Sequence, residues 1–301
     1  MARTATSIPV ASPIALPAVV ELLKPVTWFP PMWAYLCGLV AAGVADASRW
    51  PEMLAGVLLA GPLVCGTSQA VNDWFDRHVD AINEPRRPIP SGRLPGRTGL
   101  YVAIGWTLVS LAVATLLGPW GFGASVVGLA LAWAYSAPPI RLKRNGWYGN
   151  AAVGACYEGL PWFTAAAVVA AGAPDWRIVT LAVLYSIGAH GIMTLNDFKS
   201  VHGDRRMGIG SLPVRLGEDS AAALACFTMI LPQIAVIGLL FAWGQHWHAW
   251  SIAVVVLLQL VAMEPLLENP RERAPWYNAT GITLYVTGMM ISAFAVRALL
   301  A

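Results

Sequence analysis

The chain has 301 residues, of which 57% are apolar and 12% charged, with a formal net charge of +3. Soluble domains carry roughly 25% charged residues, so this composition excludes an ordinary water-soluble globule and points to a polytopic membrane protein. The small basic surplus gives no reason to invoke nucleic acid.

Residues 1–20, rich in Ala, Pro and Ser, read as a flexible leader. No short apolar segment with a cleavage site precedes the first span, so no removable signal peptide is expected. Apolar runs then give nine candidate helices, at approximately 26–44, 53–72, 98–117, 121–137, 150–171, 177–196, 219–242, 247–264 and 279–299. About 20 apolar residues cross a bilayer. The expected fold is an all-α membrane protein, a nine-transmembrane-helix bundle making one domain over 21–301. With the N-terminus in the cytoplasm, 16 of the 19 Lys and Arg residues lie on cytoplasmic segments, and only Arg49, Arg177 and Arg297 lie outside. The positive-inside rule therefore supports nine spans with the C-terminus outside. Trp50, Trp120, Trp147, Trp176, Trp247 and Trp276 fall near span ends, as an aromatic belt requires. Cys37, Cys65, Cys156 and Cys226 are dispersed in apolar spans without metal or redox spacing.

The second span ends in Asn72, Asp73, Asp76 and Asp80, and the sixth ends in Asn196, Asp197, Ser200 and Asp204 at the same offsets. At about 100° per residue these offsets share about a 100° arc of one helix face. Both stripes open long cytoplasmic loops, so the expected working surface is a central cavity opening near the cytoplasmic face. Five carboxylates at one level repel unless cations are bound. Hard oxygen ligands suit Mg²⁺ shared with substrate phosphates, with Mn²⁺ as a substitute; Asn72 and Asn196 add neutral carbonyl ligands or orient the carboxylates. A solvated helix end paired with arginines would explain one stripe, and explains two poorly.

The proline-stiffened loop after the first stripe carries Arg86, Arg87 and Arg93, whose guanidinium forks suit diphosphate oxygens. Arg141 and Lys143 with Arg144 follow the fourth span, Lys199 lies in the second stripe, and Arg205 and Arg206 follow it. Attraction to anionic lipid accounts for at least half of these cations. Glu158 lies well inside the fifth span, where an unpaired carboxylate costs about 2.5 kcal/mol or more. It either serves the substrate or bonds a neighbouring helix. His190 on the sixth span faces the cavity as an acceptor-binding group or bonds another helix.

These residues resemble the UbiA-type intramembrane prenyltransferases over nearly the whole chain. The strings NDWFDRHVDAINEPRRPIPSGR, WAYSAPPIRLKRNGW, CYEGLPWF and TLNDFKSVHGDRRMGIGSLPVRLG resemble the chlorophyll and bacteriochlorophyll synthase branch, and TWFPPMWAYLCG leans to its bacteriochlorophyll side. The resemblance implies Mg²⁺-dependent transfer of a geranylgeranyl or phytyl group from its diphosphate to the propionate of a bacteriochlorophyllide. It implies that Asn72, Asp73, Asp76, Asp80, Asp197 and Asp204 hold the metal. It implies a bacterial inner, photosynthetic membrane with the C-terminus periplasmic, and partners among lipids and pigment-pathway enzymes. The family often has Asp at Ser200 and Glu at His202, which bears on the number of metal contacts. His190 and His202 are candidate axial ligands for a tetrapyrrole magnesium. A chlorophyllide-specific synthase, a quinone or haem prenyltransferase, a divalent-cation transporter and a non-catalytic pigment scaffold are the alternatives. Transporter carboxylates belong near the bilayer midplane, and a scaffold needs no repeated acidic stripe.

Overall fold

The structure, a computed structural model, describes residues 16–43 and 47–301. Among the described residues the chain is helical, without a strand. Helix α1 (Leu16–Leu23) turns Ala18, Val19, Leu22 and Leu23 into a small core shared with Ala70, Val71 and Ala103. The expected leader thus ends earlier than residue 20. Its last five residues begin this packed helix, because the apolar positions fall on one face; residues 1–15 lie outside the described residues.

Seven segments among the described residues are long and apolar enough to cross a membrane: Trp50–Asn83, Thr98–Ser136, Gly146–Ala170, Trp176–Met207, Glu218–Ala242, His246–Glu268 and Pro270–Leu300. The expectation of nine is not met by this measure, for two reasons. The first expected span holds only α2 (Phe29–Ala42), 14 residues long and short of the ~20 needed. The third and fourth run on as one helical segment, Thr98–Ser136. That segment breaks at Gly118, whose φ of 71° a side chain would oppose, into α5 (Thr98–Ala114) and α6 (Gly118–Ser136).

Two spans change pitch on the way. In Trp50–Asn83, α3 (Trp50–Leu58) passes through a π-helical stretch, Leu59–Cys65, into α4 (Gly66–Asn83). Pro62 inside that stretch lacks the N–H that a regular ladder needs. In Gly146–Ala170, α7 (Gly146–Gly154) passes through Ala155–Gly159 into α8 (Leu160–Ala170). The remaining long helices are α9 (Trp176–Asp197), α12 (Glu218–Ala242), α13 (His246–Glu268) and α14 (Pro270–Leu300). Short α10 (Val201–Met207) and α11 (Leu212–Leu216) fill the loop between α9 and α12.

The largest core cluster joins α2, α8, α9 and α12 to α14 around Trp162, Tyr185 and Tyr285. Tyr185 stacks on Trp162 at 5.7 Å and meets Tyr285 edge-on at 5.4 Å. Small residues set the closest crossings. A side chain at Gly191 would strike the carbonyl of Ala225, and one at Gly38 the carbonyl of Trp162. Gln233 and Gln259 exchange hydrogen bonds of 3.1 and 2.9 Å, so neither buried amide is orphaned between α12 and α13.

Candidate functional site

Both acidic stripes open onto one cavity of about 930 Å³, lined from the segment after α1, the start of α2, α4, α6, α7, α9, α10 and the loops that join them. Two main-chain bonds fix its rim. Gly146 N–H donates to the carbonyl of Gly210 at 2.9 Å and Gly210 N–H to that of Arg144 at 3.0 Å, tying the basic loop after α6 to the loop after α10. Of the residues expected from sequence, Asn72, Asp76, Arg87, Arg141, Lys143, Asn196, Asp197, Lys199 and Asp204 line the cavity. Asp73 and Asp80 are buried behind its wall and reach it through cations that line it.

The first stripe is already neutralised. Asp73 Oδ1 accepts from Lys24 Nζ at 2.6 Å and from Arg87 at 3.4 Å, and Asp80 accepts from the same Arg87 nitrogen at 2.8 Å. Asp76 accepts from Arg141 at 3.2 Å on one oxygen and from Lys143 at 2.5 Å on the other. Burial pushes the Lys143 ammonium below the ordinary lysine value, an effect that Asp76 opposes. The second stripe is held by neutral donors instead. Asn150 lies 3.3 Å from Asp197, while Ser200 and Ser211 hydroxyls lie 2.9 and 2.7 Å from Asp204 Oδ2. Ser200 therefore orients the neighbouring carboxylate.

Lys24 is the cavity cation that sequence reasoning missed, counted there only as a cytoplasmic positive charge. Its backbone is left-handed (φ 48°), as is that of Arg141 (φ 43°). For non-glycine residues this conformation is uncommon and tends to occur where function fixes the chain. A lone lysine directly after the mostly apolar α1, whose one charged residue is Glu21, was the available signal. Asn150, Tyr135, Tyr157 and Ser211 also line the cavity, and nothing in their local pattern marks them.

Four expected contacts fall elsewhere, and two more sites move. Arg93 makes a bidentate pair with Glu21, at 2.5 and 2.8 Å, tying the proline loop to α1. That hydrogen-bonded pair holds the Glu21 carboxyl below its ordinary range. Arg86, Arg205 and His202 are exposed and absent from the cavity wall. Glu158 is buried inside the bundle with Oε2 unpartnered; its neighbour Tyr157 faces the cavity, and adjacent residues of a helix point about 100° apart. His190 lies behind α7, its ring 5.7 Å from Trp147 and its Nδ1 buried without a partner. It borders a separate apolar groove of about 680 Å³.

Among the described residues no three acidic, His or Cys side chains are gathered into a ready metal cage. The oxygen donors nonetheless fit a hard divalent cation. Asp73 Oδ2 is buried and unpartnered, and Asn72, Asp76, Asn196, Asp197 and Asp204 face each other across one space. Mg²⁺ is characteristically held by one or two carboxylates, water and substrate phosphate, and not by an all-protein cage.

The profile of the UbiA prenyltransferase family matches residues 31–294. The chain is 61% identical to the bacteriochlorophyll synthase 33 kDa chain of Cereibacter sphaeroides, over 94% of this chain and 93% of that one. It is 56% identical to the protein of the same name from Rhodobacter capsulatus, over 93% of each. In fold it matches a UbiA homolog from Archaeoglobus fulgidus bound to GPP and Mg²⁺, with a TM-score of 0.72, 19% identity, and coverage of 93% of this chain and 99% of that one.

Proposed function

Because this chain belongs to the UbiA prenyltransferase family, we propose that it transfers a geranylgeranyl or phytyl group from its diphosphate to the propionate carboxylate of bacteriochlorophyllide, forming the ester and releasing diphosphate. Relatives at 61 and 56% identity that carry the bacteriochlorophyll synthase name support the acceptor. The observation that carries the chemistry is the meeting of both acidic stripes and a ring of Lys and Arg around one cavity.

In this reading Asp76, Asp197 and Asp204, with Asn72 and Asn196, hold Mg²⁺ on the diphosphate, and Asp73 and Asp80 support them from behind. Bound Mg²⁺ supplies positive charge to the leaving oxygens. Lys24, Arg87, Arg141 and Lys143 add charge that develops its full value as the allylic C–O bond breaks and its electron pair leaves with diphosphate. The apolar bundle keeps water from the allylic carbon. A propionate, with an ordinary pKa near 4, is already ionised at neutral pH. Its oxygen attacks the carbon directly, so no general base is assigned. The chain is an integral membrane protein by its seven apolar helices. Its topology is read as nine passes in a bacterial inner membrane, N-terminus cytoplasmic, with 21–301 as one domain.

The test is conversion of bacteriochlorophyllide and geranylgeranyl diphosphate by the purified protein. Ester should form with Mg²⁺ and vanish with EDTA, and Asp76→Asn should lose about 10²–10³ in kcat, the range for removing one strong electrostatic contact. Pigment binding without ester under any metal condition would return the scaffold reading.

A further inference from the structure

On the far side of α7 from the diphosphate cavity, an apolar groove of about 680 Å³ opens between α7–α8 and α9. Asn150 of α7 lines the cavity and Ala151 lines the groove, so this helix separates the two. Along α9 the groove runs from His190 to Val179, on the order of 16 Å at about 1.5 Å per helical residue. Its ends differ. Trp147, Tyr148 and His190 stand at the end nearer the acidic stripes, with the His190 ring 5.7 Å from that of Trp147 and inclined to it by 34°. Leu160, Phe163, Val179 and Val183 make the other end apolar.

Two buried polar atoms on this wall, His190 Nδ1 and Ser186 Oγ, have no hydrogen-bond partner among the described residues. They lie one turn apart on the same face of α9. Thr228, by contrast, spends its hydroxyl on the carbonyl of Leu224 in its own helix. Gly159 keeps the Ser186 hydroxyl clear, because a side chain there would strike it. The Trp147 main chain is a hydrogen-bonding neighbour of the imidazole, which leaves Nδ1 as the free nitrogen. Metal-ligating histidines are usually held in this way, with one nitrogen on a main-chain group and the other on the metal. Inside a bilayer such a group is costly and marks function.

We propose that the groove is a second pigment site, separate from the reaction cavity: it holds the esterified magnesium tetrapyrrole that the reaction makes, with His190 Nδ1 as axial ligand to the magnesium. The inference rests on the prenyl-transfer reading, which supplies that product. The macrocycle lies against Trp147 and Tyr148, whose rings suit a flat aromatic face, and the tail follows Leu160, Phe163 and Val179 toward the opposite end. A magnesium held by four ring nitrogens keeps an open axial position, which a neutral imidazole fills. Ser186 donates to a carbonyl at the ring edge. The α7 residues of the wall, Ala151 and Ala155, are small, so the imidazole has space to turn Nδ1 outward. A phospholipid acyl chain would fill the apolar length and leave both polar atoms unpartnered.

The experiment titrates purified protein with bacteriochlorophyll and with the same pigment stripped of magnesium, while Mg²⁺ and geranylgeranyl diphosphate occupy the reaction cavity. Wild-type protein should bind the magnesium form more tightly by about tenfold or more, the effect of one metal-ligand contact. His190→Gly should bring the two affinities together, and added imidazole should restore the difference, which a loss of packing alone would not allow. Asp76→Asn, in the cavity, should keep the wild-type ratio. Equal affinities in wild-type protein overturn the site, as does a ratio kept in His190→Gly or lost in Asp76→Asn. Ester formation is measured alongside. Ester with equal pigment affinities overturns the groove alone, whereas no ester from any prenyl diphosphate removes the prenyl-transfer reading itself.

Discussion

Around the cavity, the carboxylates of the first stripe are matched with cations and those of the second with neutral donors. Arg141 and Lys143 can pass from Asp76 to diphosphate when metal takes that carboxylate, and Lys24 and Arg87, which pair with Asp73 and Asp80, also line the cavity within reach of it. Lys24→Ala should therefore raise the KM for prenyl diphosphate about tenfold, as loss of one charge-assisted bond of ~1.5 kcal/mol implies, while pigment binding holds; titration of the donor at fixed acceptor measures this. Lys143 gives a pH signature. Its ammonium is held below the ordinary lysine value, first by burial, so it loses its proton at lower pH than a solvated lysine and leaves Asp76 with Arg141 alone. Turnover should fall on the alkaline side, and Lys143→Arg, which stays charged, should move that fall to higher pH.

At the scale of the element, the long spans were legible because apolar runs and their polar ends are local properties. The first stripe lies on the last turns of α4, whereas the second runs from the end of α9 through a 3-10 turn, Phe198–Ser200, into α10. The pitch changes were not legible. They depend on neighbours, and they lie in the stretches that carry Pro62 and Glu158. Helix contacts also rest on positions whose value is invisible in one helix. Gly191 lets α9 approach α12, and Gly191→Leu should overpack that crossing and cost about 1–3 kcal/mol, read as a lower midpoint in thermal unfolding in detergent.

At the scale of the whole molecule, the basic residues predict orientation. A reporter that is active only outside the cytoplasm should work when fused after Ala301 and fail when fused at the N-terminus; the reverse pattern would overturn the nine-pass reading. The sequence by itself determined that the chain is helical and apolar, that two acidic stripes repeat, and that its motifs resemble one enzyme family. These follow from short-range periodicity and residue chemistry. The tertiary structure alone decided which charges meet. Lys24 finds Asp73 across 49 residues, and Arg141 and Lys143 find Asp76 across 65 and 67, while Arg93 is taken up by Glu21 and His190 by the far side of α7. Pairing at such separations depends on which helix faces pack together, and packing is a property of the assembled bundle.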